Sequence, residues 1–479
     1  MSTATVPTAL VPTALAPGQR VCVIGAGCSG VTAAKALAER GVPFDCFEKG
    51  SALGGNWRFG NDNGQSAAYH SLHINSSKWN MQFSDFPMPE DFPDFGHHSD
   101  VLRYFERYAE HFGVTPRIRF RTEVARVEQA GGAGGPEAGP PEWDVTVRDR
   151  DGREETRRYG AVAVCNGHHW DARLPEFPGH FDGEVIHSHD YRRPDPYGGR
   201  RVLVVGIGNS AVDIAIDLSR TARVTLSTRS GAWIVPKYLL GKPADQWSGR
   251  TGERLPLWVR ERIYKLLIYL TVGDQTRYGM PKPAHGLTAA HPTTNQEFLS
   301  YVGHGRVKVK PNIRELAGGE VVFDDGTRAP FDAIIYATGY RVTFPFLPRE
   351  VFAVQDNRVA LYRRVVDPGV PGLYFVGLIQ PVGSIISLAE LQGKWIAGLV
   401  AGDWTLPDAA SMRRSIAGDA AEVAARYRAS PRHTIQVDFW RYVGQLEREM
   451  KAGAQVVHHT VIRLAADAAR RPFQLLDQN

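Results

Sequence analysis

The sequence predicts an α/β protein of more than one domain, and three observations carry that prediction. The chain has 479 residues, too many for one small domain and suited to two or three. A GxGxxG/A pattern occurs as Gly25-Ala-Gly27-Cys-Ser-Gly30 and again as Gly206-Ile-Gly208-Asn-Ser-Ala211. Each copy follows an apolar run that reads as a buried strand and opens a stretch with helical spacing of apolar residues. Strand, glycine turn and helix in that order begin a Rossmann-like unit, so two dinucleotide-binding domains are expected.

Composition narrows the partners. Lys plus Arg number 56 and Asp plus Glu 51, a net charge of +5 spread along the chain, which argues against nucleic acid. The longest apolar candidate, Leu266–Val272, is far too short to cross a bilayer, so no membrane association is expected. Cys22, Cys28, Cys46 and Cys165 have no CxxC spacing, and three fall in apolar runs or the turn after one; buried free thiols and a reducing, cytoplasmic setting follow. Residues 1–19 repeat Val-Pro-Thr-Ala-Leu without a basic start and read as a flexible tail, not a signal peptide.

In the first copy Arg20–Ile24 is the strand and Val31–Arg40 the helix, closed by Gly41. Gly25 allows the tight turn, Gly27 lets backbone N–H groups approach a pyrophosphate, and Gly30 permits close packing of helix and strand. Phe44–Phe47 supplies a second strand that ends at Glu48, whose carboxylate can accept from both hydroxyls of a ribose. An acid there disfavours a 2′-phosphate, so FAD or NAD fits this site better than NADP. Gly54-Gly55-Asn56-Trp57, taken alone, is a turn with a core tryptophan.

Asn75-Ser-Ser-Lys78 follows, and by local reading Asn75 caps a helix over Ser76–Met81. Phe83–Phe95 alternates aromatic residues with prolines and has no helical period, as expected of an ordered loop packed as a lid. Val101–Phe112 reads as a helix with Val101, Phe105, Tyr108 and Phe112 on one face. Arg117–Thr122, Val124–Glu128 and Trp143–Arg148 alternate like a β meander, with Gly131–Pro141 as a connecting loop. Ala161–Gly167 is a further buried strand; His168 and His169 after it lack partner cysteines or Glu-x-x-His spacing, so no metal is expected.

The second copy repeats the geometry with strand Arg201–Val205 and helix Ala211–Ser219, Ala211 being small enough for the last glycine position. Gly206, Gly208, Asn209 and Ser210 are the candidate contacts of the turn. The next strand, Val224–Ser227, ends at Thr228-Arg229-Ser230 with no acid, and a guanidinium at that place suits the 2′-phosphate of NADPH. The plainer alternative pairs Arg229 with a surface acid. Residues 234–330, with a helix over Trp258–Leu270, read as a substrate cover. Phe331–Tyr340 and Pro371–Val376 are strands, and Gln380, in the turn Gly377–Gly383, either bonds a cofactor or stabilises that turn.

Phe181, Gly183, His187 and Tyr191 spell FxGxxxHxxxY, which resembles the signature of flavin-containing monooxygenases. The chain is similar to that family also at Gly54–Trp57, Asn75–Lys78 with the Phe83–Phe95 loop, His291–Phe298, Gly305–Lys310, Ala337–Tyr340 and Gly377–Trp395, so the resemblance covers roughly residues 20–405. It implies a glutathione-reductase-like FAD domain with an inserted NADPH domain: residues 20–197 and 331–479 for FAD, the latter including the C-terminal helices, and 198–330 for NADPH with its cover. It also implies that Gly54, Gly55 and Trp57 lie near the flavin, that Ala337–Tyr340 marks the return to the flavin domain, and that Gln380 meets flavin or nicotinamide. Asn75 is then the residue at the flavin's reactive edge, where an amide offers a donor and an acceptor without being a nucleophile. Trp79 departs from the family, where an acid often follows the lysine. The hydrophobic tail of animal members has no counterpart in Arg463–Asn479.

The activity so implied is NADPH- and O2-dependent N- or S-oxygenation of small amines or sulfides through a C4a-hydroperoxyflavin, with a homodimer as the candidate assembly. A Baeyer–Villiger monooxygenase acting on ketones is the alternative; its similar signature typically ends in Trp or Pro, and Tyr191 favours heteroatom oxygenation. A disulfide reductase with two dinucleotide domains needs a CxxC that is absent. A non-enzymatic nucleotide-binding regulator leaves the loop around Asn75 without a role.

Overall fold

A computed structural model describes residues 13–130, 141–247, 249, 250, 252, 255–427, 430 and 433–453. The Gly131–Pro141 connection, apart from Pro141, and the segment from Arg463 to Asn479 lie outside the described residues. The chain is α/β and contains two five-stranded sheets, each wholly parallel. The first runs Leu373–Phe375, Ala161–Val164, Val21–Ile24, Phe44–Phe47, Ile118–Arg119; the second runs Glu184–His187, Ala333–Tyr336, Arg201–Val205, Arg223–Ser227, Val307–Lys310. Val21–Ile24 and Ala161–Val164 are buried throughout, as parallel strands covered on both faces must be.

In both sheets the strand that precedes the glycine turn is central, so strand order reverses beside it and a crevice opens at its carboxyl end. The two turns are built alike. Gly25 has φ +95° and a Cβ there would stand 2.9 Å from the carbonyl oxygen of Cys165; Gly206 has φ +130° and the same atom would stand 2.5 Å from that of Ala337. Positive φ and a backbone oxygen pressed against the missing side chain both demand glycine. The helices that follow are Cys28–Glu39 and Asn209–Leu218, each starting earlier than apolar spacing alone indicated. Helix Ile385–Ala401 crosses the first of them closely, a Cβ on Gly393 falling 3.0 Å from the Cα of Ala33.

Four expectations change. The strand Ala333–Tyr336 does not return to the first sheet: it pairs with Glu184–His187 and with Arg201–Val205, and the chain rejoins the first sheet only at Leu373–Phe375. The two connections between the sheets instead run side by side, Tyr340 against Ala172 and Arg341 against Asp171. The tail is not free up to residue 19, because Thr13 Oγ1 donates to Leu399 O and Leu15 N to Val400 O, each at 3.0 Å. Within the meander, Thr122–Gln129, Trp143–Asp149 and Glu154–Tyr159 form the antiparallel sheet, while Ile118–Arg119 is the edge of the first parallel sheet. The Phe83–Phe95 loop is anchored more than it is a lid: Phe83 is buried and lies 4.2 Å from Tyr108 and 5.3 Å from Tyr104, ring centre to ring centre, on helix His98–His111. Apolar rings gain more from that core than from solvent.

The insertion forms helix Leu257–Val272, which buries Leu267 and Ile268 and leaves Trp258, Leu266, Tyr269 and Leu270 exposed. No helix among the described residues is long and apolar enough to cross a membrane. Cys22, Cys46 and Cys165 are buried and Cys28 half-buried, all as free thiols.

Candidate active site

Gly25, Gly27, Glu48, Gly54, Gly55, Trp57, Asn75, Asn209 and Gln380 line one cavity of about 580 Å³. Gly30 lies beneath its wall, where a Cβ would be 1.8 Å from Gly25 O. Gly206, Gly208, Ser210 and Arg229 are outside this cavity's lining, so the second glycine turn reaches it through Asn209.

The first turn forms a cradle with the Gly54-Gly55 turn: Gly54 N donates to Ala26 O, and a Cβ on Gly55 would lie 3.0 Å from Gly27 Cα. Helix Cys28–Glu39 has no side-chain cap, and neither does Asn209–Leu218. Two helix N-termini with open first-turn N–H groups beside glycine turns suit the phosphates of two dinucleotides. Cys28 is a wall residue whose thiol burial pushes up to about 11, so it stays protonated at neutral pH.

Glu48 differs from expectation. Its Oε2 accepts from Ala26 N at 2.7 Å, and its Oε1 accepts from Gly50 N at 2.8 Å and from Asn63 Nδ2 at 3.1 Å. A carboxylate has about four lone-pair positions, so the protein already engages most of them. Glu48 is therefore an organiser of the turns, with room for about one further donor rather than two ribose hydroxyls.

Asn75 does not cap a helix. The short helix is Lys78–Met81, its N-cap is Ser77, and no side-chain cap bond is made. The Asn75 Oδ1 atom is buried and has no hydrogen-bond partner among the described residues, and the residue itself lines the cavity. A buried polar oxygen without a partner is unfavourable unless a ligand or a small shift of the side chain satisfies it, so an amide at the wall suits a bound polar group. Gln380 lies in strand Gln380–Val382, its backbone N donating to Ile435 O, and its side chain meets His168. Burial drives the His168 imidazole well below its usual range.

Asn209 Oδ1 accepts from Thr294 N at 2.8 Å, tying the turn to the 291–295 segment. Arg229 is exposed after strand Arg223–Ser227 and makes no hydrogen bond or ion pair among the described residues, so the surface-acid alternative fails and its guanidinium is open to an anion.

The signature residues pack within the second unit and do not line the cavity. His187 Nδ1 accepts from His189 N at 3.0 Å, the Tyr191 hydroxyl donates to Asp217 Oδ2 at 2.8 Å, and Gly183 leaves no space for a Cβ beside Asp332 O and the Phe181 ring.

Several wall residues carried no usable local signal. Lys237, Asp245, Arg260 and Tyr264 come from the insertion, and Asp438, Phe439 and Trp440 from the C-terminal part. Strand Gln436–Asp438 pairs in parallel with Gln380–Val382, which brings the C-terminal segment onto the site. Only Arg260 and Tyr264 had a readable pattern, being with Leu257 on one face of the insertion helix at spacings of three and four.

The family model described as flavin-binding monooxygenase-like matches residues 18–467. Flavin-containing monooxygenase 5 of Oryctolagus cuniculus is 40% identical over 475 residues, 96% of this chain and 87% of the relative. Dimethylaniline monooxygenase [N-oxide-forming] 2 of Rattus norvegicus is 36% identical, covering 91% and 83% of the two chains. Among solved structures, S-allyl-L-cysteine S-oxygenase from Allium sativum superimposes with a TM-score of 0.67 at 26% identity, over 96% of this chain and 95% of that one.

Proposed function

Since the chain belongs to the flavin-binding monooxygenase-like family, we propose that it uses FAD, NADPH and O2 to oxygenate the nitrogen or sulfur of small nucleophilic amines or sulfides. The observation that carries this reading is Asn75, whose Oδ1 has no partner among the described residues, in the lining of a cavity that also meets both glycine turns. When bound, FAD and NADPH supply the electrons and the activation of O2. The chain's own groups bind, orient and shield.

In this reading the sheet with Gly25 and Gly27 holds FAD, with Gly54, Gly55 and Trp57 beside it and Glu48 keeping the turns in register. The sheet with Gly206 and Gly208 holds NADPH, with Asn209 and Ser210 at the turn and Arg229 on the 2′-phosphate. The domain divisions follow the strands: residues up to about 172 together with those from about 341 make the FAD unit, in the manner of glutathione reductase, and the stretch between them the NADPH unit. Asn75 donates and accepts at the flavin edge, and Gln380 presents its amide from strand Gln380–Val382. Insertion and C-terminal walls keep water from the reacting atoms. Free thiols, three of them buried, fit a reducing cytoplasm.

The test is NADPH oxidation coupled to O2 by the purified yellow protein, with a tertiary amine, a thioether and a cyclic ketone in separate arms. An N- or S-oxide formed nearly one for one with NADPH is expected. An ester or lactone from the ketone arm, with no heteroatom product, would reassign the chain to ketone oxidation.

A further inference from the structure

We infer that Lys237 and Asp245 are positioning residues for Asn75, gripping the loop that carries it from the side of the second glycine turn. Lys237 Nζ donates to Ile74 O at 2.9 Å, and Asp245 Oδ2 accepts from Ser77 N at 2.7 Å. Ile74 and Ser77 flank Asn75 in sequence and both are buried. The Asn75 Oδ1 atom makes no hydrogen bond among the described residues, so none of them fixes the amide at that oxygen. Its direction is set by the backbone on either side, which these two side chains hold together with the backbone bonds from Ile74 N to Gly96 O and from Lys78 N to Asp94 O.

Lys237 is itself constrained. Its ammonium lies 5.1 Å from the centre of the Phe95 ring, and burial lowers its pKa against the opposing pull of Asp213 and Glu297. Asp213 stands on helix Asn209–Leu218, which the second glycine turn opens. The grip therefore runs from the helix of one nucleotide site to the loop at the other. Apolar wall residues could cover substrate equally well, but they could not hold peptide groups of this loop; a cation on a carbonyl and a carboxylate on an N–H can.

The inference rests on the reading that Asn75 faces the flavin, and its test separates the two. Lys237→Met, Lys237→Arg and Asp245→Ala proteins would be compared with the parent for oxygenated product per NADPH, for anaerobic flavin reduction, for thermal midpoint, and for amide hydrogen exchange over residues 72–78 without NADPH. Lys237→Met and Asp245→Ala should speed exchange in that segment on the order of tenfold. They should lower product per NADPH severalfold, with hydrogen peroxide rising, while flavin reduction stays within about twofold of the parent. Lys237→Arg keeps a cationic donor and should recover most of the coupling.

Unchanged exchange and unchanged coupling in Lys237→Met and Asp245→Ala would overturn the inference. So would a lower thermal midpoint with normal coupling, which marks a merely structural contact. If Lys237→Met does not fold, Asp245→Ala decides by the same readouts. A parent that yields neither N- nor S-oxide would defeat the proposed function, and the exchange rates would still decide the grip.

Discussion

The Tyr69 hydroxyl donates a 2.7 Å hydrogen bond to Asp213 Oδ2, joining the segment just before Asn75 to the helix opened by the second glycine turn. The other carboxylate oxygen accepts from Asn295 Nδ2 at 2.8 Å. Burial pushes the Asp213 carboxyl up, and these donors pull the other way. In Tyr69→Phe the ring still packs near Tyr191, but a buried carboxylate loses one of its donors. The folded state should lose about 1.5–3 kcal/mol at pH 7, read from urea denaturation with flavin bound. A midpoint and slope equal to the parent's would mean that the bond contributes nothing net.

Arg229 has no partner among the described residues, so its replacement leaves none of them unpaired. Arg229→Ala should therefore fold and bind FAD as the parent does, while kcat/KM for NADPH relative to NADH falls roughly ten- to a hundredfold, the worth of one charge-assisted contact. Steady-state kinetics with each nucleotide measure it. An unchanged ratio would assign the 2′-phosphate to another cation.

Asn75→Leu separates chemistry from stability. Because Ser77 is the N-cap and that short helix has no side-chain cap bond, the change should cost less than the ~1 kcal/mol of a lost cap. Anaerobic flavin reduction by NADPH should remain near the parental rate, since neither glycine turn is touched. Oxygenated product should drop sharply and hydrogen peroxide should appear in its place. A leucine enzyme with parental product yield and no extra peroxide would remove Asn75 from the reaction.

His98 sets an acid limit. It is 6% exposed and stacked on Phe59, and burial, aided by the imidazoles of His97, His70 and His73, lowers it from 6.5 to about 4. Its folded pKa lies below its unfolded one, so its contribution is fully present above about 6.5 and is lost as pH falls toward about 4. His187, also lowered to about 4, acts in the same direction. The urea midpoint should fall through this window, and His98→Phe, which keeps the ring stack, should flatten the fall by roughly one proton's worth of slope. An identical pH profile in parent and variant would rule His98 out as a titrating group.

What could be read from the sequence was local. Gly25 and Gly206 were legible because positive φ and a backbone oxygen in contact leave only one residue type, and that demand is written at the position itself. The strand ahead of each turn and the helix behind it declare their burial by period, and exposed Arg229 is placed by the end of a single strand. Asn75 was singled out by family resemblance, while its local reading as a cap was displaced by Ser77.

Tertiary structure alone decided the rest. Ala333–Tyr336 is an apolar strand that either sheet could have taken, and only pairing with Arg201–Val205 assigns it to the second. Glu48 was legible as an acid at a strand end, but Asn63 and the two backbone N–H groups that occupy it come together only in the folded turns. Lys237 and Asp245 are more than 150 residues from the loop they hold. A turn that needs a glycine is determined within a few residues of chain, whereas the hydrogen bonds that position a lone amide depend on which distant segments share one cavity, and no local period encodes that.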